Sequence, residues 1–134
     1  MTSTVKYTGN LRTVGIHISS SKRLITDAPL DNQGKGEAFS PTDTVATGLA
    51  SCLLTVLGIK AKDIGIDITE TFAEVEKVMG SNPRRIIEIK VDVHFPNTFN
   101  AKLKLILERA ALSCLVAQSL HPDINQNITF HWPD

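Results

Sequence analysis

Net charge is missing from this chain: Lys plus Arg and Asp plus Glu both number 14 among 134 residues. No long run of one sign occurs either, so the electrostatic footprint that nucleic acid or an anionic lipid surface needs is absent, and neither partner is expected. The first thirty residues lack the basic start and apolar stretch of a secretory leader, which makes a cytoplasmic chain with reduced thiols the expectation. No apolar run reaches the ~20 residues that cross a bilayer. The longest uncharged stretch, Thr44 to Ile59, carries Thr, Gly and Ser and reads as a buried helix rather than an anchor. Cysteine is scarce, with two residues and no CxxC, while His17, His94, His121 and His131 lie without HxxxH spacing, so neither a metal nor a cofactor is expected. Gly34-x-Gly36 lacks the third glycine of a dinucleotide fingerprint and follows no βαβ pattern, which leaves a connecting loop as its reading. No internal repeat or low-complexity tract is present, and no Ser-His-Asp arrangement can be read from spacing.

What is present fits one domain spanning residues 1–134. Val5-Lys6-Tyr7, Gly15-Ile16-His17-Ile18 and Arg23-Leu24-Ile25-Thr26 read as a three-stranded meander, punctuated by Gly9-Asn10 and Ser19-Ser20-Ser21. After a loop over Asp27 to Gly36, Ser40-Pro41-Thr42-Asp43 gives a helix start with Ser40 as cap, Pro41 in the first turn and Asp43 at the positive end of the dipole. That helix is expected to run to about Lys62 as the central helix of the domain. Two strand-like stretches follow, Ile66 to Val78 and Arg85 to Phe95, the second alternating Ile87, Ile89, Val91 and Val93 against Glu88, Lys90, Asp92 and His94. Met79 to Pro83 joins them as a hairpin. Leu103, Leu107, Ala110 and Cys114 then recur at helical spacing, and a final strand spans Asn127 to Trp132. The order β-β-β-α-β-β-α-β predicts an α+β domain with antiparallel sheet strands folded around a buried helix.

Both cysteines fall in helical patterns. Val45, Leu49, Cys52, Val56 and Ile59 are separated by four, three, four and three residues, which predicts one inward stripe containing Cys52. Cys114 ends the second helical pattern. If those faces meet, the thiols meet as well and form a redox centre; if not, they are two of the buried structural cysteines common in cores. The reactive form of a cysteine is the thiolate, and a cysteine of pKa ~8.5 is only a few per cent ionised at neutral pH. Cys52 lies too far into its helix for the dipole to help, so a cation must come from elsewhere.

Three stretches carry a resemblance to the osmotically induced protein C and organic hydroperoxide resistance family, written OsmC/Ohr. Ser40-Pro41-Thr42-Asp43 followed by Gly48-Leu49-Ala50-Ser51-Cys52-Leu53-Leu54-Thr55-Val56 resembles the family's helix bearing its first cysteine. Cys114-Leu115-Val116-Ala117-Gln118-Ser119-Leu120 is similar to the segment of the second, with Leu115 where a proline commonly stands. Arg12-Thr13-Val14-Gly15-Ile16-His17-Ile18-Ser19 is similar to an amino-terminal arginine, glycine and short strand. The resemblance implies an intertwined homodimer that reduces organic hydroperoxides. In it Cys52 is peroxidatic, Cys114 resolves by forming a disulfide, Arg12 activates, and a further dithiol reductant restores the site. The family's glutamate that orients the arginine falls at Thr42, which leaves Asp43, one residue on, and then Glu37 as candidates. The alternative function is a non-catalytic protein of the same fold that binds a small apolar ligand. Acyl transfer by Cys52 ranks last, because no histidine is placed to act as base.

Overall fold

The computed structural model describes residues 1–134. In chain order its elements are β1 (Ser3–Gly9), β2 (Arg12–His17), β3 (Arg23–Asp27), a 3-10 turn (Leu30–Asn32), α1 (Pro41–Asp63), β4 (Phe72–Gly80), β5 (Arg85–His94), α2 (Ala101–Ala111), α3 (Leu115–Ser119) and β6 (Asn125–His131). The chain forms two compact units, Met1–Val45 and Ala46–Asp134.

In the first unit β1, β2 and β3 form an antiparallel sheet in sequence order. The register puts Val5 opposite Gly15 and Gly15 opposite Leu24, with Tyr7, Thr13 and Thr26 in the next row of the same face. It also makes Arg12 the cross-strand partner of Asp27. Beyond β3 the chain loops out and returns where Phe39 bridges Thr26. The glycines of this loop have a structural use: a Cβ on Gly34 would lie 1.7 Å from the Ala28 carbonyl oxygen, so only glycine permits the approach. Ser40 then caps α1. Its Oγ accepts the Asp43 N–H at 3.1 Å, and its own N–H donates to Asp43 Oδ2 at 2.9 Å, a reciprocal capping box.

The second unit is built on α1. At 23 residues this helix is long and apolar enough to cross a bilayer, so length alone does not decide its setting. Packing places it in a core. Leu49, Leu53 and Leu57 are fully buried, clustered with Ile89 and Val93 of β5 and with Leu107 and Ala111 of α2. Each such leucine contributes about 1.5–3 kcal/mol of burial free energy. Mid-helix hydroxyls are satisfied within the helix, Ser51 donating to the Thr47 carbonyl and Thr55 to that of Ser51.

Several expectations shift here. The buried stripe is Ala46, Leu49, Ala50, Leu53, Leu57 and Ala61, not the stripe predicted through Val45 and Ile59, both of which are exposed. α1 is apolar almost all round, so periodicity in large residues could not select the face; the alanines, which let neighbours approach, do. The residues Ile66 to Thr71 stay outside β4. β6 runs parallel to β5, making the second sheet mixed, and the α2 and α3 segment supplies the crossover that parallel pairing requires. Ile87, expected in the inward row of β5, is exposed, because the register shifts there between Val78 and Met79. The alternation of β5 holds from Ile89 on, with Ile89, Val91 and Val93 inward and Lys90, Asp92 and His94 on the other face. There Phe72 stacks on His94 and His94 on His131, with ring centroids 4.8 and 4.7 Å apart, because the register aligns the three.

Candidate functional site

Cys114 does not lie within the second helix. α2 stops at Ala111, where the Ser113 N–H turns back to the Ala110 carbonyl and the Cys114 N–H to that of Ala111. Cys114 is extended and caps α3, its Sγ accepting the Ala117 N–H at 3.4 Å. The sulfur is nevertheless fully buried, because the break between α2 and α3 is too short to turn it out of the core. Cys52 flanks the buried stripe of α1 and is half-buried. The two thiols are close enough for Cys52 to act on the ionisation of Cys114, and both are free.

Their environments differ. Burial pushes the Cys114 thiol up, and the adjoining Cys52 sulfur pushes the same way, against the Ala117 and Val116 N–H groups that favour its charged form. Cys114 is thereby held as a neutral thiol near pH 7, while Cys52 is the member of the pair that solvent reaches. Such a pair can close a disulfide on losing two electrons and two protons.

Arg12 is held in the first unit. Its Nε donates to Asp27 Oδ1 at 2.7 Å and its Nη2 to Asp27 Oδ2 at 2.8 Å, a bidentate fork from one strand to the next. Glu37 contributes Oε2 at 3.7 Å from Nη2. Asp27 is 2% exposed and also accepts the Glu37 N–H at 3.1 Å. Its carboxyl is lowered by the Arg12 hydrogen bonds, with burial opposing, and the Arg12 guanidinium is raised in turn.

The residues expected to carry chemistry are therefore distributed as follows. Cys52 and Cys114 meet. The carboxylate that grips Arg12 is that of Asp27 with Glu37 beside it, whereas the Asp43 carboxylate accepts the Ser40 N–H at the start of α1. Sequence reasoning missed Asp27. The signal was available in the meander: strands folded about Ser19-Ser20-Ser21 pair Ile16 with Arg23 and, four rows on, Arg12 with Asp27.

Fold and thiol pair together define a small α+β protein with two neighbouring cysteines at one core, Cys52 on the long helix and Cys114 at the start of a short one. The OsmC-like protein family matches residues 34–129, and the chain belongs to that family. A crystal structure of a proposed osmotic stress induced and detoxification response protein from Psychrobacter arcticus 273-4 is 54% identical, with 98% of this chain and 96% of that one covered at a TM-score of 0.95. An organic hydroperoxide resistance protein from Elizabethkingia anophelis shares the fold at 16% identity, with 99% and 97% covered and a TM-score of 0.77. So does the organic hydroperoxide resistance protein OsmC from Legionella pneumophila, at 15% identity, 97% and 96% covered, TM-score 0.76. No curated protein sequence matches this chain. These comparisons agree with the sequence resemblance to OsmC/Ohr and with an α+β architecture of two small sheets and three helices.

Proposed function

We propose that this chain is a thiol-dependent reductase of organic hydroperoxides. The observation that carries the reading is a pair of neighbouring free thiols with unequal exposure, Cys52 half-buried and Cys114 fully buried. Family membership and the hydroperoxide-resistance names of relatives with this fold support it. In the proposed cycle the Cys52 thiolate attacks one peroxide oxygen, the O–O bond breaks, and the alkoxide takes a proton to leave as an alcohol. Cys52 is left as a sulfenic acid. Cys114 then displaces water from it, the S–S bond forms, and the chain has lost two hydrogens. A dithiol reductant restores both thiols by exchange.

Arg12 is assigned the activating role, because a guanidinium favours thiolate and can donate hydrogen bonds to peroxide oxygens. Asp43 is assigned to the helix start, where its carboxylate completes the capping box. The working form is proposed to be a homodimer in the reducing cytoplasm: Val5, Tyr7 and Leu24 are exposed together on one face of the first sheet, an apolar surface suited to a second copy. Cys52→Ser is expected to abolish turnover of tert-butyl hydroperoxide with dithiothreitol as reductant, measured by peroxide loss. An undiminished rate in that variant rules the assignment out, and a wild-type chain inert to peroxide transfers the case to the ligand-binding alternative.

A further inference from the structure

We propose that the thiol reductant enters over Gly48, attacks the sulfur of Cys52 and expels Cys114 as the leaving thiolate, an inference that rests on the disulfide cycle proposed above. Exchange at sulfur runs in line, the attacking thiolate approaching one sulfur from the side opposite the bond that breaks. A disulfide therefore has two approaches, and the fold closes one of them. Cys114 has no exposed surface and belongs to the buried cluster that holds Leu53 of α1 with Leu107 and Ala111 of α2. Cys52 is half-buried at the flank of that cluster.

Around Cys52 the helix surface is cut back. Side chains of a helix lean toward its amino terminus, so the surface beside Cys52 is that of the preceding turn, where the residue four positions earlier shares its face. That residue is Gly48, and a Cβ on it would meet no atom within 4 Å. Its backbone is ordinary helix, without the positive φ that calls for glycine, and glycine weakens a helix relative to alanine. Ser51 and Thr55, which border Cys52, are exposed and short, and both hydroxyls are spent on carbonyls of their own helix. An open approach to one sulfur is what these small residues share.

Leaving-group acidity works against this order, since burial raises the Cys114 thiol and a thiol of higher pKa departs more slowly. Access outweighs it: a closed path stops attack, whereas a raised pKa only slows departure. The expelled Cys114 sulfur returns to the Ala117 N–H that it accepts at 3.4 Å in the reduced chain, and takes up a proton. The second thiolate of the dithiol then attacks the reductant sulfur bound to Cys52, closes a cyclic disulfide and frees the Cys52 thiolate, which is protonated in turn. The reductant has lost two hydrogens and the chain has gained them.

The test begins with chain oxidised by diamide, which closes neighbouring thiols without a peroxide, and intact mass checks the loss of two hydrogens. Excess glutathione is added, exchange is quenched in acid, and the denatured chain is alkylated with N-ethylmaleimide and mapped by peptide. Glutathione on Cys52 with maleimide on Cys114 is expected in at least about tenfold excess over the reverse. Should the adduct turn over too fast to collect, the reduced variants Cys114→Ser and Cys52→Ser are compared for their rate with dithionitrobenzoate, and Cys52 is expected to react at least about tenfold faster than Cys114. Gly48→Leu is expected to slow reduction of the wild-type disulfide by dithiothreitol at least about tenfold, while Gly58→Leu, at a second uncrowded glycine about a third of a turn off the face of Cys52, leaves it within about twofold.

Glutathione on Cys114, an equal share on both sulfurs, or equal rates in the two single variants overturns the order of attack. A wild-type rate in folded Gly48→Leu overturns the route over Gly48, and a disulfide that no thiol reduces overturns both. The failure of the underlying reading looks different: tert-butyl hydroperoxide leaves both thiols reduced while the diamide-oxidised chain still exchanges at Cys52. If diamide itself closes no bond, the inference falls together with the reading it rests on.

Discussion

Closing the Cys52 to Cys114 bond should stabilise the chain, by an amount its geometry sets. The two sulfurs are neighbours in the fold but about 60 residues apart in the polypeptide, so a disulfide removes a large loop from the freedom of the unfolded chain. On the chain-entropy treatment a loop of that length is worth about 4 kcal/mol before any strain in the bond is subtracted. With an unfolding entropy of roughly 2 cal/mol/K per residue, the corresponding rise in Tm for a chain of this size is about 10–15 °C at most. The experiment treats reduced protein with one equivalent of tert-butyl hydroperoxide, checks by intact mass for the loss of two hydrogens, and compares urea unfolding at one fixed protein concentration. Cys114→Ser is the control, because a serine oxygen can still accept the Ala117 N–H at the start of α3 while no bond can close. That variant should gain one oxygen at Cys52, trapped by dimedone, and show no comparable gain in stability. A stable gain of oxygen in the wild-type chain, with no loss of hydrogens, refutes the proximity on which the proposed chemistry depends. A disulfide that forms yet leaves unfolding unchanged refutes the loop argument alone.

Two stability predictions follow from the same contacts. Ser40→Ala removes the Oγ that accepts the Asp43 N–H and should cost about 1 kcal/mol in urea unfolding; no measurable loss would mean that the capping box contributes nothing. For pH, burial raises the Cys114 thiol in the folded state above its unfolded value of about 8.5, so the native chain holds that proton more tightly. Its contribution to stability is therefore fully present below that unfolded value and is lost as pH rises through the folded one. The difference in unfolding free energy between wild type and Cys114→Ser should be constant below about pH 8 and shrink above it. A difference that does not change with pH contradicts the assigned environment.

Elements were easier to read in this sequence than the faces they present. The meander, the capped central helix and the alternating strand were legible because each rests on local chemistry: turn residues between β-formers, Ser-Pro-x-Asp before an apolar run, and a two-residue period. The face of α1 was not, since a helix apolar on most sides gives several stripes of equal merit, and the structure chose one through Ala46, Ala50 and Ala61. The helical pattern ending at Cys114 ran across a real break at Leu112 and Ser113, where neither glycine nor proline marks the end. Both errors concerned the two cysteines, yet the sulfurs still meet, because Cys52 at the flank of one stripe and Cys114 at the cap of a short helix approach the same core from different sides. Asp27 shows the complementary case. An aspartate next to a loop reads as a turn former, and its burial is decided by a partner fifteen residues away on another strand. A charged side chain is stable there because Arg12 and the Glu37 N–H hold its oxygens in place of water, and no local pattern encodes that exchange. Residue types announce which chemistry a chain could perform, but pKa, exposure and orientation are properties of contacts, so the ionic partner of Arg12 had to come from the fold.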